Sequence, residues 1–410
     1  MSRTLVVVSL LLLAIPIAAA LSQQADPLVD RARRLLREVP VIDGHNDYPW
    51  EVRQKAGMDL NKLDLSRPQP SIMTDFARLA AGGLGGQFWS VYVPSPAPGT
   101  DPAGSVTQTL EQIDIVHRMI ARYPQRLVLA LTAADIERAQ KEGRIASLIG
   151  MEGGHSINSS LAALRMTHRL GARYMTLTHS LNVPWADSAT DAPKLDGLSP
   201  FGEEVVHEMN RLGMLVDLSH TSPATMADAL RISTAPVIFS HSSARAIANV
   251  PRNVPDEILR QLPKNGGLVM VTFVPQFISQ AVADHSARET AERARLTAAG
   301  AAADAVTRGL DVWRAANPAP RATLAQVADH IDHIRKVAGI DHVGLGGDFD
   351  GITTVVQGLE DVSTYPMLIA ELLRRGYPDD DIRKIAGRNI LRVMRGAEAV
   401  AGKVGAGSSR

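Results

Sequence analysis

Three histidines and two carboxylates in this chain each follow a short apolar run, and these are the residue types that hold metal ions through nitrogen and oxygen. The first two lie in VIDGHNDYPW, Val41–Trp50. Val41 and Ile42 run into Asp43-Gly44, where a glycine lets the backbone leave a buried strand sharply and present His45 and Asp47 at its end. Alternate residues of an extended segment point the same way, so both side chains can aim at one ion. Glu152 follows the run Ala146–Met151, His220 follows Leu215–Leu218, and His241 follows Val237–Phe239. Five ligands are too many for one four-coordinate zinc that keeps an open position. They suit two ions about 3.5–4 Å apart that share a hydroxide and lower its pKa toward about 7. Glu152 is the natural bridge, because it lies between the two ligand groups and offers an oxygen to each ion. Neutral imidazoles with carboxylates favour zinc, and cobalt or manganese can use the same donors.

The elements that must position these residues read as short strands alternating with helices. Eight runs are strand-like: Val41–Asp43, Gln87–Val93, Ala146–Met151, Arg173–Thr178, Leu215–Leu218, Val237–Phe239, Gly267–Phe273 and His342–Leu345. Amphipathic stretches lie between them, among them Thr107–Arg122, Ala133–Glu142, Ser160–Leu170, Gly202–Leu212 and Leu324–Val337. Eight such units predict a (β/α)8 TIM-like barrel rather than a doubly wound sheet, and barrel chemistry sits where the strands end. Further polar residues stand at those ends: His155 after Glu152, His179 after the fourth run, and Asp348 and Asp350 after the eighth. Ala283–Ala316, rich in Ala and Arg, exceeds a crossover's length and is expected as a helical insertion after the seventh run, either plain outer helix or a cover for the barrel mouth. His117, His168, His207, His330 and His333 fall in helical patterns and read as solvated, with His330 and His333 spaced to share a helix face.

Composition narrows the classes. The 410 residues are 45% hydrophobic and 21% charged with zero formal net charge, enough for a large core and without a basic run for nucleic acid or an anionic membrane. Cysteine is absent, which excludes disulfides, a thiolate nucleophile and cysteine-held zinc. Arg3, the apolar Leu5–Ile17 and Ala18-Ala19-Ala20 read as a signal peptide over residues 1–20, cleaved near Leu21, since the apolar run is shorter than the roughly 20 residues of a spanning helix. A single barrel domain over 21–400 and a flexible polar tail over 401–410 complete the expected organisation. The expected location is outside the cytoplasm, periplasmic or secreted, with no stable membrane anchor after cleavage.

DGHNDYPW, IGMEGGHSI, TLTHSLNVPWAD, DLSHTS, FSHSSARAIANVPRNVPD and GLGGDFDG occur in this order. Together they closely resemble the membrane dipeptidase (renal dipeptidase) family of zinc peptidases, from about Val39 to the C-terminus. The resemblance implies two zinc ions per chain, with His45 and Asp47 on one, His220 and His241 on the other, and Glu152 bridging. It implies that His179 contacts the scissile carbonyl, that Arg252 binds the dipeptide carboxylate, and that Asp348 shuttles the proton. A planar guanidinium suits that carboxylate, although Arg245, seven residues earlier, is an alternative by spacing alone. Trp50 and Trp185 are candidates for the pocket wall, and His155 for a group that orients the ligands. A dipeptide is the implied substrate, with tolerance of a C-terminal D-residue. The alternatives are another binuclear amidohydrolase acting on a cyclic amide, β-lactam or lactone, or a non-catalytic barrel that binds peptide or metal. Animal members are lipid-anchored, disulfide-linked dimers, and this chain, lacking cysteine and anchor signal, leaves only a non-covalent homodimer open.

Overall fold

The computed structural model describes residues 26–96 and 103–407. Its strands are β1 (Val41–Asn46), β2 (Leu84–Ser90), β3 (Leu127–Leu129), β4 (Ile145–Glu152), β5 (Ala172–Thr176), β6 (Leu215–Asp217), β7 (Ile238–Ser242), β8 (Leu268–Val271) and β9 (Val343–Leu345). They form one parallel sheet in the order β2-β1-β9-β8-β7-β6-β5-β4-β3, and a further pairing of β2 with β4 closes eight of them into a barrel. All eight expected runs belong to that barrel. The sequence reading passes over β3. That strand pairs with Ile145–Ser147 on the edge of β4 that β5 occupies from Ile149 onward, so two short strands share one edge.

The strands are covered on both faces, which is why they read as continuous apolar runs. Along β4 the even-numbered residues climb the barrel interior, from Ala146 and Leu148 to Glu152 at the mouth, while Ile149 and Met151 pack in the outer layer. β1 differs from expectation in one respect. It continues through Gly44 to Asn46, and Gly44 serves close approach rather than a sharp exit, because a Cβ there would collide with the Ser240 carbonyl.

The helices begin where sequence chemistry places them. Ser199 and Ser222 each precede a proline and accept the N–H of Gly202 and Thr225, starting Pro200–Leu212 and Pro223–Ile232. Thr132 and Thr323 form capping boxes with Asp135 and Gln326 at the heads of Ala133–Lys141 and Leu324–Ala338.

The expected insertion is a helical hairpin, Gln280–Ala298 and Ala303–Ala316. Its helices pack on each other, with Arg314 paired to Glu289, and bury only His285, Val306 and Leu310. None of its residues lines the cavity at the mouth, so the cover reading is not supported. Asn389–Gly407 is helical into the stretch read as a tail, and residues 1–20, read as a signal peptide, lie outside the described residues. Among the described residues no helix is long and apolar enough to cross a membrane.

Candidate metal centre

Six strand ends deliver the site. β1 brings His45 and Asp47, β4 brings Glu152, the turn after β6 brings His220, β7 carries His241, and the loops after β5 and β9 bring His179 and Asp348. Glu152 lies at their centre. Its Oε1 is 3.1 Å from His220 Nε2, 3.4 Å from His241 Nε2 and 3.5 Å from His179 Nε2. Its Oε2 is 3.4 Å from His45 Nε2 and accepts the Ser90 hydroxyl at 3.2 Å. His45 Nε2 also lies 3.2 Å from Asp47 Oδ2 and 4.0 Å from Asp348 Oδ1. Three overlapping groups have donors close enough to hold a metal ion: His45, Glu152 and His241; Glu152, His179 and His220; and His45, Asp47 and Asp348.

The donor set fits cations better than it fits itself. His45 Nε2 and Asp47 Oδ1 are buried without a hydrogen-bond partner, a costly state for polar atoms unless a cation faces them. Burial disfavours charge on His45, yet Tyr174, Glu152 and Asp47 together hold its pKa well above the ordinary imidazole range. Burial keeps His220 and His241 neutral, with pKa values well below the usual. Burial also pushes Glu152 up, but the imidazoles of His45, His179, His220 and His241 overcome it and keep the carboxylate ionised. The neutral imidazoles of His220 and His241 beside the ionised Glu152 are a ligand set for a divalent ion. His220, at φ +67°, and Asp348, at φ +60°, adopt left-handed backbone, which costs about 1–3 kcal/mol each and concentrates at functional sites.

These groups open into a cavity of about 920 Å³. Arg252 lines it, nearly fully buried, stacked on Phe277 at 5.1 Å and with only long bonds, 3.4 Å each, to Ser242 Oγ and the His241 carbonyl. Burial brings its pKa down to about 10, so it stays charged at neutral pH, and it pairs with no carboxylate among the described residues. Arg245 is excluded as the pocket cation: it binds the Asn253 and Pro251 carbonyls and holds the loop. Burial, reinforced by Asp47 and Glu152, pushes the pKa of Asp348 well above the usual carboxylate range, toward that of a group able to accept a proton and pass it on.

Other expectations divide. Trp50 faces the cavity edge-on to Tyr92, whose ring lies 5.0 Å from that of His179. Trp185 is core, packed on Gly154 and Phe201. His155 bonds the Val93 carbonyl at 3.0 Å and orients none of the five candidate ligands. Asp350 accepts the Met73 N–H at 2.5 Å and orders a loop. His330 is buried rather than solvated, accepting the Ala244 N–H at 3.0 Å and meeting the Ile278 carbonyl at 3.0 Å, and His333 pairs with Asp256. Sequence reasoning missed Tyr92, Phe277, Tyr174 and Asp217, whose single aromatic or acidic letters carry no spacing signal.

A closed parallel barrel with imidazoles and carboxylates converging at its strand ends defines a metal-dependent hydrolase. The chain belongs to the membrane dipeptidase family, peptidase family M19, whose model matches residues 29–407, and it is accordingly a metallo-dipeptidase. It is similar to the probable dipeptidase PvdM of Pseudomonas aeruginosa, with a TM-score of 0.80 and 25% identity over 92% of this chain and 99% of that one. It is also similar to a metallo peptidase of Rhodobacter sphaeroides solved with a phosphinate mimic of the dipeptide L-Ala-D-Ala, with a TM-score of 0.73 and 25% identity over 88% and 99% of the two chains.

Proposed function

We propose that the protein is an exported zinc dipeptidase with two ions per chain, acting on dipeptides that include those ending in a D-residue. The observation that carries this reading is Glu152, whose two oxygens face opposite sets of imidazole nitrogens, His45 on one side and His220 and His241 on the other. His45 and Asp47 would hold one ion, His220 and His241 the other, with Glu152 shared. When bound, the ions would acidify a shared water and polarise the scissile carbonyl.

The chain's own groups do the rest. Arg252, a buried cation on the cavity wall, receives the substrate's α-carboxylate in two parallel hydrogen bonds and so selects peptides with that group one residue beyond the scissile bond. His179 stands at the cavity wall beside Glu152 and donates a hydrogen bond to the oxygen on which negative charge develops. Asp348 takes the proton released by the attacking water and delivers it to the departing amine. Tolerance of a D-residue is supported by the L-Ala-D-Ala mimic in the Rhodobacter sphaeroides relative. Export rests on the N-terminal sequence pattern. A non-covalent homodimer remains compatible with a cysteine-free chain.

The test is zinc stoichiometry of the chain from Leu21 measured together with alanine release from L-Ala-D-Ala. Two ions with turnover are expected; one ion, or two ions with no turnover, would contradict the reading.

A further inference from the structure

Two histidines of the centre are held from behind by hydroxyl groups deep in the barrel. His45 Nδ1 lies 2.9 Å from the phenol oxygen of Tyr174, which lies 3.2 Å from the Gly44 carbonyl. A carbonyl only accepts, so the phenol donates its one proton there and its oxygen accepts from Nδ1–H. In the neutral ring that a cation requires, the lone pair of His45 is thereby placed on Nε2, facing Asp47 and Glu152. On the other side, Ser240 Oγ lies 2.8 Å from His241 Nδ1 and 2.6 Å from Asp217 Oδ2. The serine donates its one proton to Asp217 Oδ2, so its oxygen accepts from His241 Nδ1–H. The His241 lone pair then lies on Nε2, 3.4 Å from Glu152 Oε1.

Both arrangements are built into the barrel rather than left to chance. Tyr174 stands on β5 and reaches across the interior to β1, passing over Gly150 of β4, where any Cβ would collide with the phenol ring. Asp217 is fully buried and fixed by four donors: Oδ1 accepts the N–H of Ser219 at 3.1 Å and of Ser240 at 2.8 Å, and Oδ2 accepts Ser240 and, at 2.5 Å, the Thr176 hydroxyl. The other two imidazoles lack such backing. His220 Nδ1 is buried without a partner, and His179 Nδ1 meets only the hydroxyl of the adjacent Ser180. One anchored histidine therefore stands on each side of the bridging glutamate.

We propose that Tyr174 and the Asp217–Ser240 pair are positioning residues, each fixing the ligating nitrogen of one histidine and so setting the affinity of one cation position independently of the other. The proposal rests on the two-ion reading given above. Histidine ligands elsewhere owe about 10–100-fold in metal affinity to such partners, because the hydrogen bond fixes both tautomer and ring orientation.

Co2+ titration of the metal-free chain, followed by visible absorption and paired with the melting temperature of the metal-free protein, tests it. Tyr174→Phe keeps the ring and removes the acceptor; Ser240→Ala breaks the second relay without touching the backbone bonds of Asp217. Asp217→Asn is less suitable, because it disturbs a carboxylate that also holds two backbone N–H groups. The wild type is expected to bind two ions, with Tyr174→Phe weakening one by about 10–100-fold and Ser240→Ala the other. The spectrum of the affected ion should change while the metal-free melting temperature stays within a few degrees. Two ions whose affinities are untouched by either variant, or weakened equally by both, would overturn the positioning role alone. A wild type that binds fewer than two ions would overturn the two-ion reading itself.

Discussion

His220 and His241 hold their Nε2 atoms 2.9 Å apart, and both face the same oxygen of Glu152. Two neutral imidazoles do not approach so closely without a proton or a cation to accept their lone pairs, and Glu152 supplies the charge that draws one in. Glu152→Gln keeps the shape and removes the charge. Metal analysis should then find one ion or none, and kcat/KM should fall by at least about 100-fold, as expected when a ligand is lost rather than a ligand's partner. Retention of both ions with full activity would place the bridge elsewhere.

Arg252 carries the expected selectivity. Truncating a buried charge that pairs with a ligand costs about 2–5 kcal/mol, so Arg252→Ala should lower kcat/KM for free dipeptides by about 30-fold or more. For dipeptide amides, which lack the carboxylate, the same change should matter little. Arg245→Ala should leave the preference intact, because that side chain binds only loop carbonyls. Steady-state kinetics on acid and amide pairs decides the matter.

Asp348 sits close enough to His45 and Asp47 to be a ligand as well as a proton carrier. Its proposed role is to carry the proton. Asp348→Asn should lower kcat by about 100- to 10,000-fold while both ions remain bound. Loss of an ion in this variant would make it a ligand instead.

Acid stability should report on His330. Burial lowers its pKa from 6.5 to about 4, and its bond from the Ala244 N–H requires the neutral ring. A depressed pKa favours the folded state above the unfolded value, so the contribution is fully present above about 6.5 and is lost as pH falls toward about 4. Its size is about 3 kcal/mol at most by proton linkage. Urea unfolding of the metal-free protein between pH 7 and 4 should show a shallower pH slope for His330→Gln than for the wild type. Equal slopes would mean that the ring titrates normally.

The barrel, and the meeting of His45, Asp47, Glu152, His220 and His241 at its mouth, were legible because apolar runs ending in His, Asp or Glu mark both a strand and its mouth. β3 escaped because three residues, Leu127–Leu129, are too few to show a period, and their pairing depends on where β5 begins. The role of His330 escaped for a related reason: its helix position looks amphipathic, and only the fold brings Ala244 and Ile278 to its two nitrogens. Arg252 and Arg245 could not be separated by spacing, since the choice rests on which guanidinium the loop uses for itself. Tyr174 and Asp217 lie inside strands, where a polar letter in an apolar run gives no clue to its partner across the barrel.

The most direct test of the account is release of free amino acids by the zinc-loaded chain from L-Ala-L-Ala, L-Ala-D-Ala, Gly-D-Ala and the tripeptide L-Ala-L-Ala-L-Ala, with Glu152→Gln as control. Cleavage of the dipeptides, little or none of the tripeptide, and loss of both in the variant are predicted. Comparable cleavage of the tripeptide, or turnover that survives Glu152→Gln, would contradict it.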